Sequence, residues 1–400
     1  MVEPYLSSVY KDKDSLVAGW RDIHIVIANK STSSSVFTEL LGYSTYYYTA
    51  YKAFGQEQDA VQAKELLGQL LTRLAHHPLF AWTAAQLDQM IVLAWLHTEL
   101  VRQAVFSEDK VALLTQLDER LLSEAAVLAR QPASSPSNLL RIVRYFHLRL
   151  PDEHSAGYWQ KVTSLVEQAV ADKKLNYSFP KAPASLAPGS GKVMRLGLTD
   201  GLAGDLLLLI QLAEVGPLLA GLREQVRQGI LYILSTKREV DFSDQRYAIF
   251  PAQINSEHDE ATFSNELNWG NGDIGQALLL YKGYKLLQDE ELAYLAQLVG
   301  LNTLLRTDVC STDVTSSELA SGAAGVAHLY RKLYQLSGHD AYRKGYAFWL
   351  TQTHTWLSHE LSTDFYQHRE GDLLHGLVGV ALVLLSAISD EELHWDRVLL

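Results

Sequence analysis

Five polar residues flank the paired glycines that recur in the second half of this chain: Asp200, Asn271, Asp273, Ser321 and His375. Their types suit proton transfer. Asp200 and Asp273 supply two carboxylates, the equipment for acid/base cleavage of a glycosidic bond held between them. His375 carries an imidazole that titrates near neutral pH and can move a proton. A structural reading stands beside each of these. Asp, Asn and Ser are among the best helix N-caps, worth about 0.5–2 kcal/mol relative to Ala. Asp200, Asn271 and Ser321 therefore suit helix starts, Asp273 and Asp372 suit the positive end of a helix dipole, and His375 suits a hydrogen bond at a helix start. Spacing spells no metal set. Cys310 is the one cysteine, His354 and His359 are five apart and share a helix face poorly, His76 and His77 close a helix, and His328 falls on a helix as a buried or lateral residue.

The elements that must position these residues repeat. Gly-x-x-Gly occurs at Gly201 and Gly204, Gly272 and Gly275, Gly322 and Gly325, and Gly376 and Gly379, with the first glycines separated by 71, 50 and 54 residues. Each copy leads into an apolar helical run, and each interval has room for two helices, the signature of an α/α repeat array. Glycines at i and i+3 share a helix face and let that end approach its neighbours closely. Helix starts of this kind converging on an axis predict a closed ring around a central cavity, where unpaired N–H groups make an electropositive focus. Apolar residues at i, i+3 and i+4 predict helices over 61–76, 84–105, 110–129, 158–171, 201–213, 218–235, 275–288, 291–305, 323–335, 340–359 and 377–388. A brief hairpin is expected near Tyr247–Phe250. Weaker copies of the repeat fall at 41–50, 82–99 and 138–150; seven copies would give fourteen helices. Tyr43, Tyr47 and Tyr51 share a helix face with Tyr48 beside it, either packing between layers or lining a peptide groove. Segments 131–137 and 176–192 read as connectors, the second also as a loop across an opening. Residues 257–260 read as a solvated acidic loop or a rim for a basic peptide.

Composition narrows the function classes. With 400 residues and 48% hydrophobic content, the chain builds either several domains or one large closed domain. A formal net charge of -12 disfavours phosphate backbones and excludes a nucleic-acid partner, while tolerating a basic peptide. The lone cysteine rules out an intrachain disulfide and fits a reducing, cytoplasmic setting. No signal peptide is read at the N-terminus, and the apolar run over 377–388 is too short to span a bilayer.

The repeats carry more than glycine spacing. Gly197-Leu198-Thr199-Asp200-Gly201-Leu202-Ala203-Gly204 resembles G-L-S-H-G-L-A-G. Asn268-Trp269-Gly270-Asn271-Gly272-Asp273-Ile274-Gly275 resembles x-W-C-Y-G-D-x-G. Leu319-Ala320-Ser321-Gly322-Ala323-Ala324-Gly325 is similar to L-C-H-G-x-A-G. Leu373–Gly379 fits the last repeat, and Trp395–Leu400 resembles the family ending. In this order they mark a resemblance to the lanthipeptide cyclases, the LanC-like proteins, strongest over 195–400. The resemblance implies an all-α toroid of six to seven helix pairs with Gly-x-x-Gly on the inner helices, as one domain over 1–400. It further implies a zinc ion held by two cysteines and a histidine, which activates a peptide thiol for attack on a dehydroalanine or dehydrobutyrine.

At the matching positions this chain departs from the family. The cysteine positions are Gly270 and Ala320, the histidine ligand position is Ser321, and the proton-transfer histidine and tyrosine positions are Asp200 and Asn271. No zinc or other cofactor is therefore expected. The resemblance points to a dehydrated precursor peptide as partner, either cyclised without zinc or merely held by a scaffold for a dehydratase. A carboxylate-dependent hydrolase or lyase on the same toroid and a pure interaction module are the alternatives.

Overall fold

The computed structural model describes residues 13–76, 83–105, 111–130, 137–150, 156–172, 193–199, 201–215, 220–255 and 260–399. Along these the chain forms α1 (Lys13–Ser31), α2 (Phe37–Phe54), α3 (Glu57–His76), α4 (Ala84–Arg102), α5 (Val111–Leu128), α6 (Ser137–Leu148), α7 (Ala156–Ala171), β1 (Val193–Arg195), α8 (Leu202–Val215), α9 (Ala220–Ser235), β2 (Gln253–Asn255), β3 (Glu260–Thr262), α10 (Asp273–Leu287), α11 (Glu290–Thr303), α12 (Val309–Thr312), α13 (Ala323–Ser337), α14 (Asp340–Ser362) and α15 (Leu377–Ile388). Two compact units divide these elements. One comprises Asp12–Tyr177 with Gln367–Leu400, the other Ser178–Tyr366.

In the first unit α2 packs on α3, α4 and α15, α4 on α6, α6 on α5 and α7, and α1 on α15. Every residue of α15 is buried. Its sequence, apolar but for Ser386, has no face to offer water and must be enclosed. The α2 tyrosines settle into the core: Tyr43, Tyr46, Tyr47 and Tyr48 are buried, and Tyr51 is half-buried. Buried hydroxyls need partners. Tyr46 pairs with His24 Nδ1 at 2.8 Å, Tyr47 with Ser31 Oγ at 3.2 Å, and Tyr48 donates to Glu99 at 2.8 Å. This run is packing rather than a groove. At the start of α4, Thr83 and Gln86 exchange side-chain and backbone hydrogen bonds in a capping box, which fixes where the helix begins.

The second unit is built of helix pairs. α8 packs on α9, α10 on α11 and α13 on α14, while α10 also lies against both α8 and α13. β1, β2 and β3 form a small antiparallel sheet in that order, with Arg195 opposite Gln253 and Gln253 opposite Thr262. The strands expected at Tyr247–Phe250 are not there. Those residues run without strand pairing, and the hairpin is made further on by β2 and β3. Segment 176–192 and residues 257–259 lie outside the described residues, as do 131–136 of the other connector.

Candidate functional site

Three loops precede α8, α10 and α13, and they lie side by side. The Leu198 N–H donates to the Gly270 carbonyl at 2.9 Å, and the Gly270 N–H donates to the Ala320 carbonyl at 3.3 Å. The backbone thus places position 270 between positions 198 and 320. Glycine permits the packing. A Cβ on Gly325 would run into the carbonyl of Leu319, so α13 sits closer to its own entry loop than any other residue allows. Gly272 caps α10 at φ +106°, a conformation that L side chains rarely adopt.

The helix caps differ from expectation. The N-caps of α10, α13 and α15 are Gly272, Gly322 and Gly376, and none makes a side-chain cap bond. Asn271 and Ser321 stand one residue too early to cap. Asn271 instead donates from Nδ2 to Glu266 Oε2 at 2.8 Å, and its N–H donates to Asn268 Oδ1 at 2.8 Å. Ser321 donates to the Glu318 carboxylate. Their polar side chains fold back on their own loops, which holds the loops rigid ahead of the helices.

Asp273 has a structural task. It is fully buried, accepts the backbone N–H groups of Ile249 and Phe250 at 2.9 and 3.0 Å, and pairs with Arg306 at 3.1 Å. Burial pushes its carboxyl up from the usual carboxylate range, against the pull of Arg306 and the two amides. Arg306 also donates to the carbonyls of Ser311 and Asn265, at 2.8 and 2.6 Å. This pair ties the start of α10 to segments 249–250, 265 and 311. A carboxylate enclosed by three donors has no face left for a substrate, so an acid/base pairing of Asp273 with Asp200 gains no support from this geometry. Asp200 lies outside the described residues. His375 belongs to the first unit, where it is exposed and its N–H donates to Asp372 Oδ1 at 2.7 Å. Of the four sequence candidates among the described residues, Asn271 alone lines the cleft beside these loops.

That cleft has a volume of ≈ 360 Å³ and includes Arg195, Thr199, Gln253, Glu266, Gly270 and Asn271 in its wall. Arg195, Thr199 and Glu266 were missed from sequence. Arg195 is on β1, one strand of a sheet too short to show periodicity, and Glu266 precedes the motif that begins at Asn268. A Cβ on Gly270 would meet Thr199 Oγ1 at 3.3 Å and Asn268 Oδ1 at 3.5 Å. Position 270 therefore takes a side chain if the Thr199 hydroxyl gives way by a few tenths of an ångström, whereas backbone carbonyls block Gly197, Gly272 and Gly325.

The profile of the Lanthionine synthetase C-like protein family matches residues 174–400, and this chain belongs to that family. Nisin cyclase matches structurally with a TM-score of 0.71 at 16% identity, over 95% of this chain and 96% of that one. The fold is the all-α toroid class of that enzyme, as the sequence resemblance implied. An unsaturated glucuronyl hydrolase specific for heparin matches with a TM-score of 0.46 at 12% identity, over 94% and 96% of the two chains. No curated protein sequence matches.

The residues present do not fit the zinc ion that the family resemblance implies. Gly270 and Ala320 carry no donor atom, and Ser321 offers a hydroxyl already bonded to Glu318. Among the described residues no group of three His, Cys, Asp or Glu side chains is placed to hold a metal ion. Cys310 is exposed on α12. Among the described residues no helix is long and apolar enough to cross a membrane.

Proposed function

We propose that this LanC-like chain binds a dehydrated precursor peptide in the cleft beside Gly270 and brings a cysteine thiol to a dehydroamino acid without zinc. One observation carries the reading: the three pre-helix loops lie in backbone contact, Leu198 to Gly270 to Ala320, while the positions matching the metal ligands carry no sulfur or imidazole. A framework kept without its metal favours peptide handling over metal chemistry. Positioning two reactants in one cleft accelerates their reaction by itself. The acidic surface, net -12, attracts a basic peptide segment.

The test pairs two measurements on untagged protein. Metal content is read by plasma mass spectrometry, and binding by fluorescence anisotropy with a labelled, dehydrated Ser/Thr/Cys-rich peptide. Sub-stoichiometric zinc with saturable binding supports the proposal. One tightly held zinc per chain overturns its zinc-free part, and absence of binding overturns the peptide.

A further inference from the structure

Two charged side chains, Arg195 and Glu266, stand in the cleft wall, and the second of them also anchors Asn271. Arg195 sits on β1 opposite Gln253 of the sheet, which fixes its backbone. Its guanidinium makes no ion pair or side-chain hydrogen bond with the described residues. Glu266 is half-buried, with Oε2 held by Asn271 Nδ2 at 2.8 Å and its own N–H donated to Ser264 Oγ at 3.1 Å. Its other oxygen, Oε1, has no hydrogen-bond partner among the described residues. Among the described residues, a carboxylate with one open oxygen and a guanidinium without an ion pair thus share one cleft with the bare position Gly270.

We infer that Glu266 is the acid/base group and Arg195 the electrostatic group for addition of a peptide thiol to a dehydroamino acid in this cleft. This rests on the peptide-handling reading above. The thiol proton passes to Glu266 Oε1. The thiolate forms a carbon–sulfur bond at the β-carbon of the alkene, and the π pair moves through the α-carbon onto the adjoining carbonyl oxygen. The proton on Glu266 then returns to the α-carbon. The addition is redox-neutral and releases nothing. Arg195 supplies the positive charge that favours thiolate and enolate, since a neighbouring cation lowers a thiol's pKa. Asn271 is a positioning residue: its amide holds the Glu266 carboxylate in one orientation.

The probe is a synthetic peptide with one cysteine and one dehydroalanine, assayed in EDTA. Loss of free thiol is followed by maleimide labelling and mass spectrometry. A serine-for-cysteine version, which cannot close, reports binding by anisotropy. Glu266→Gln is expected to slow closure about 100-fold while leaving binding of the serine peptide unchanged. Arg195→Gln is expected to slow it about 10-fold or more, with partial rescue in Arg195→Lys. Both sites are at least partly exposed, and circular dichroism verifies the fold of each variant. Failure of the wild-type chain to bind the serine peptide sinks the underlying function. Binding without closure by the wild-type chain sinks this inference together with the thiol-positioning part of the proposed function, whereas closure at unchanged rate in Glu266→Gln and Arg195→Gln sinks this inference alone.

Discussion

Replacing Arg306 by Met tests the anchor beneath the cleft. Arg306 is fully buried and bonds Asp273, Ser311 and Asn265. Methionine fills much of the space but leaves the Asp273 carboxylate buried with two backbone N–H groups and no cation. Breaking a buried pair from one side costs about 3–5 kcal/mol. The carboxyl can escape by taking a proton. Starting from an ordinary value of 3.8, holding that proton at pH 7 costs about 4 kcal/mol, at about 1.4 kcal/mol per pH unit. That cost sets a ceiling, and it gives the variant a signature. The Asp273 carboxyl in the variant has its pKa raised by burial, with the pull of Arg306 gone. A raised folded-state carboxyl contributes stability that grows as pH falls toward the unfolded value. Arg306→Met should therefore regain stability relative to wild type as pH falls from 7 toward 5, by at most about 1.4 kcal/mol per unit, read in urea. Asp273→Asn should cost less, because Arg306 keeps its carbonyl acceptors. The double variant should fall well short of the sum of the single losses. A loss under about 1 kcal/mol, or one independent of pH, would refute the claim that this pair carries buried charge.

Three more outcomes follow from other parts of the chain. Gly272→Ala and Gly325→Ala should each cost about 2 kcal/mol or more in urea denaturation, through positive φ and backbone collision respectively, whereas Gly270→Ala should stay within about 1 kcal/mol; equal costs would contradict the described loop packing. Gly270→Cys, Ala320→Cys and Ser321→His together should bind about one zinc per chain by plasma mass spectrometry and raise Tm when loaded; a folded, metal-free variant would show that the loops do not hold metal-ligand spacing. Burial, with help from Arg144 and Arg397, lowers His147 from 6.5 to about 4. The neutral imidazole's stabilising contribution is complete above pH 6.5 and is lost as pH falls toward 4, about 3 kcal/mol in all. Tm between pH 7 and 4.5 should drop less in His147→Gln than in wild type.

The sequence exposed those parts of the fold that depend on local pattern. Residues 377–388 form α15 with the expected ends because the run between Gly376 and Ser389 is apolar but for Ser386, whose hydroxyl bonds back to the Leu382 carbonyl. α1 went unrecognised: its buried stripe of Leu16, Ile23 and Ile27 is thin and interrupted by polar residues, and it becomes a core face only against α15 and α2. The site was legible by position and not by role. Asn271 and Ser321 were read as caps because the glycine after them was assigned to the helix, whereas that glycine is itself the cap. Asp273 reads as a reactive carboxylate beside a helix start until Arg306 and the 249–250 backbone, distant in sequence, are brought onto it. Glu266 and Arg195 carry no motif, and only the folding of the segments around β1, β2 and residues 264–271 brings them to one cleft.

The packing of α1 on α15 has a consequence for how the chain is made. These two helices are drawn from opposite ends of the sequence, so the first unit stays incomplete until α15 has left the ribosome. The second unit, whose described residues fall within Ser178–Tyr366, can close earlier. At about 5–20 residues per second, α1 through α7 wait tens of seconds with the surface meant for α15 uncovered. During that interval the stripe of Leu16, Ile23 and Ile27 and the face of α2 that later meets α15 are open to other chains. The yield of native protein should therefore respond to translation speed and chaperone supply as well as to the stability of the finished fold.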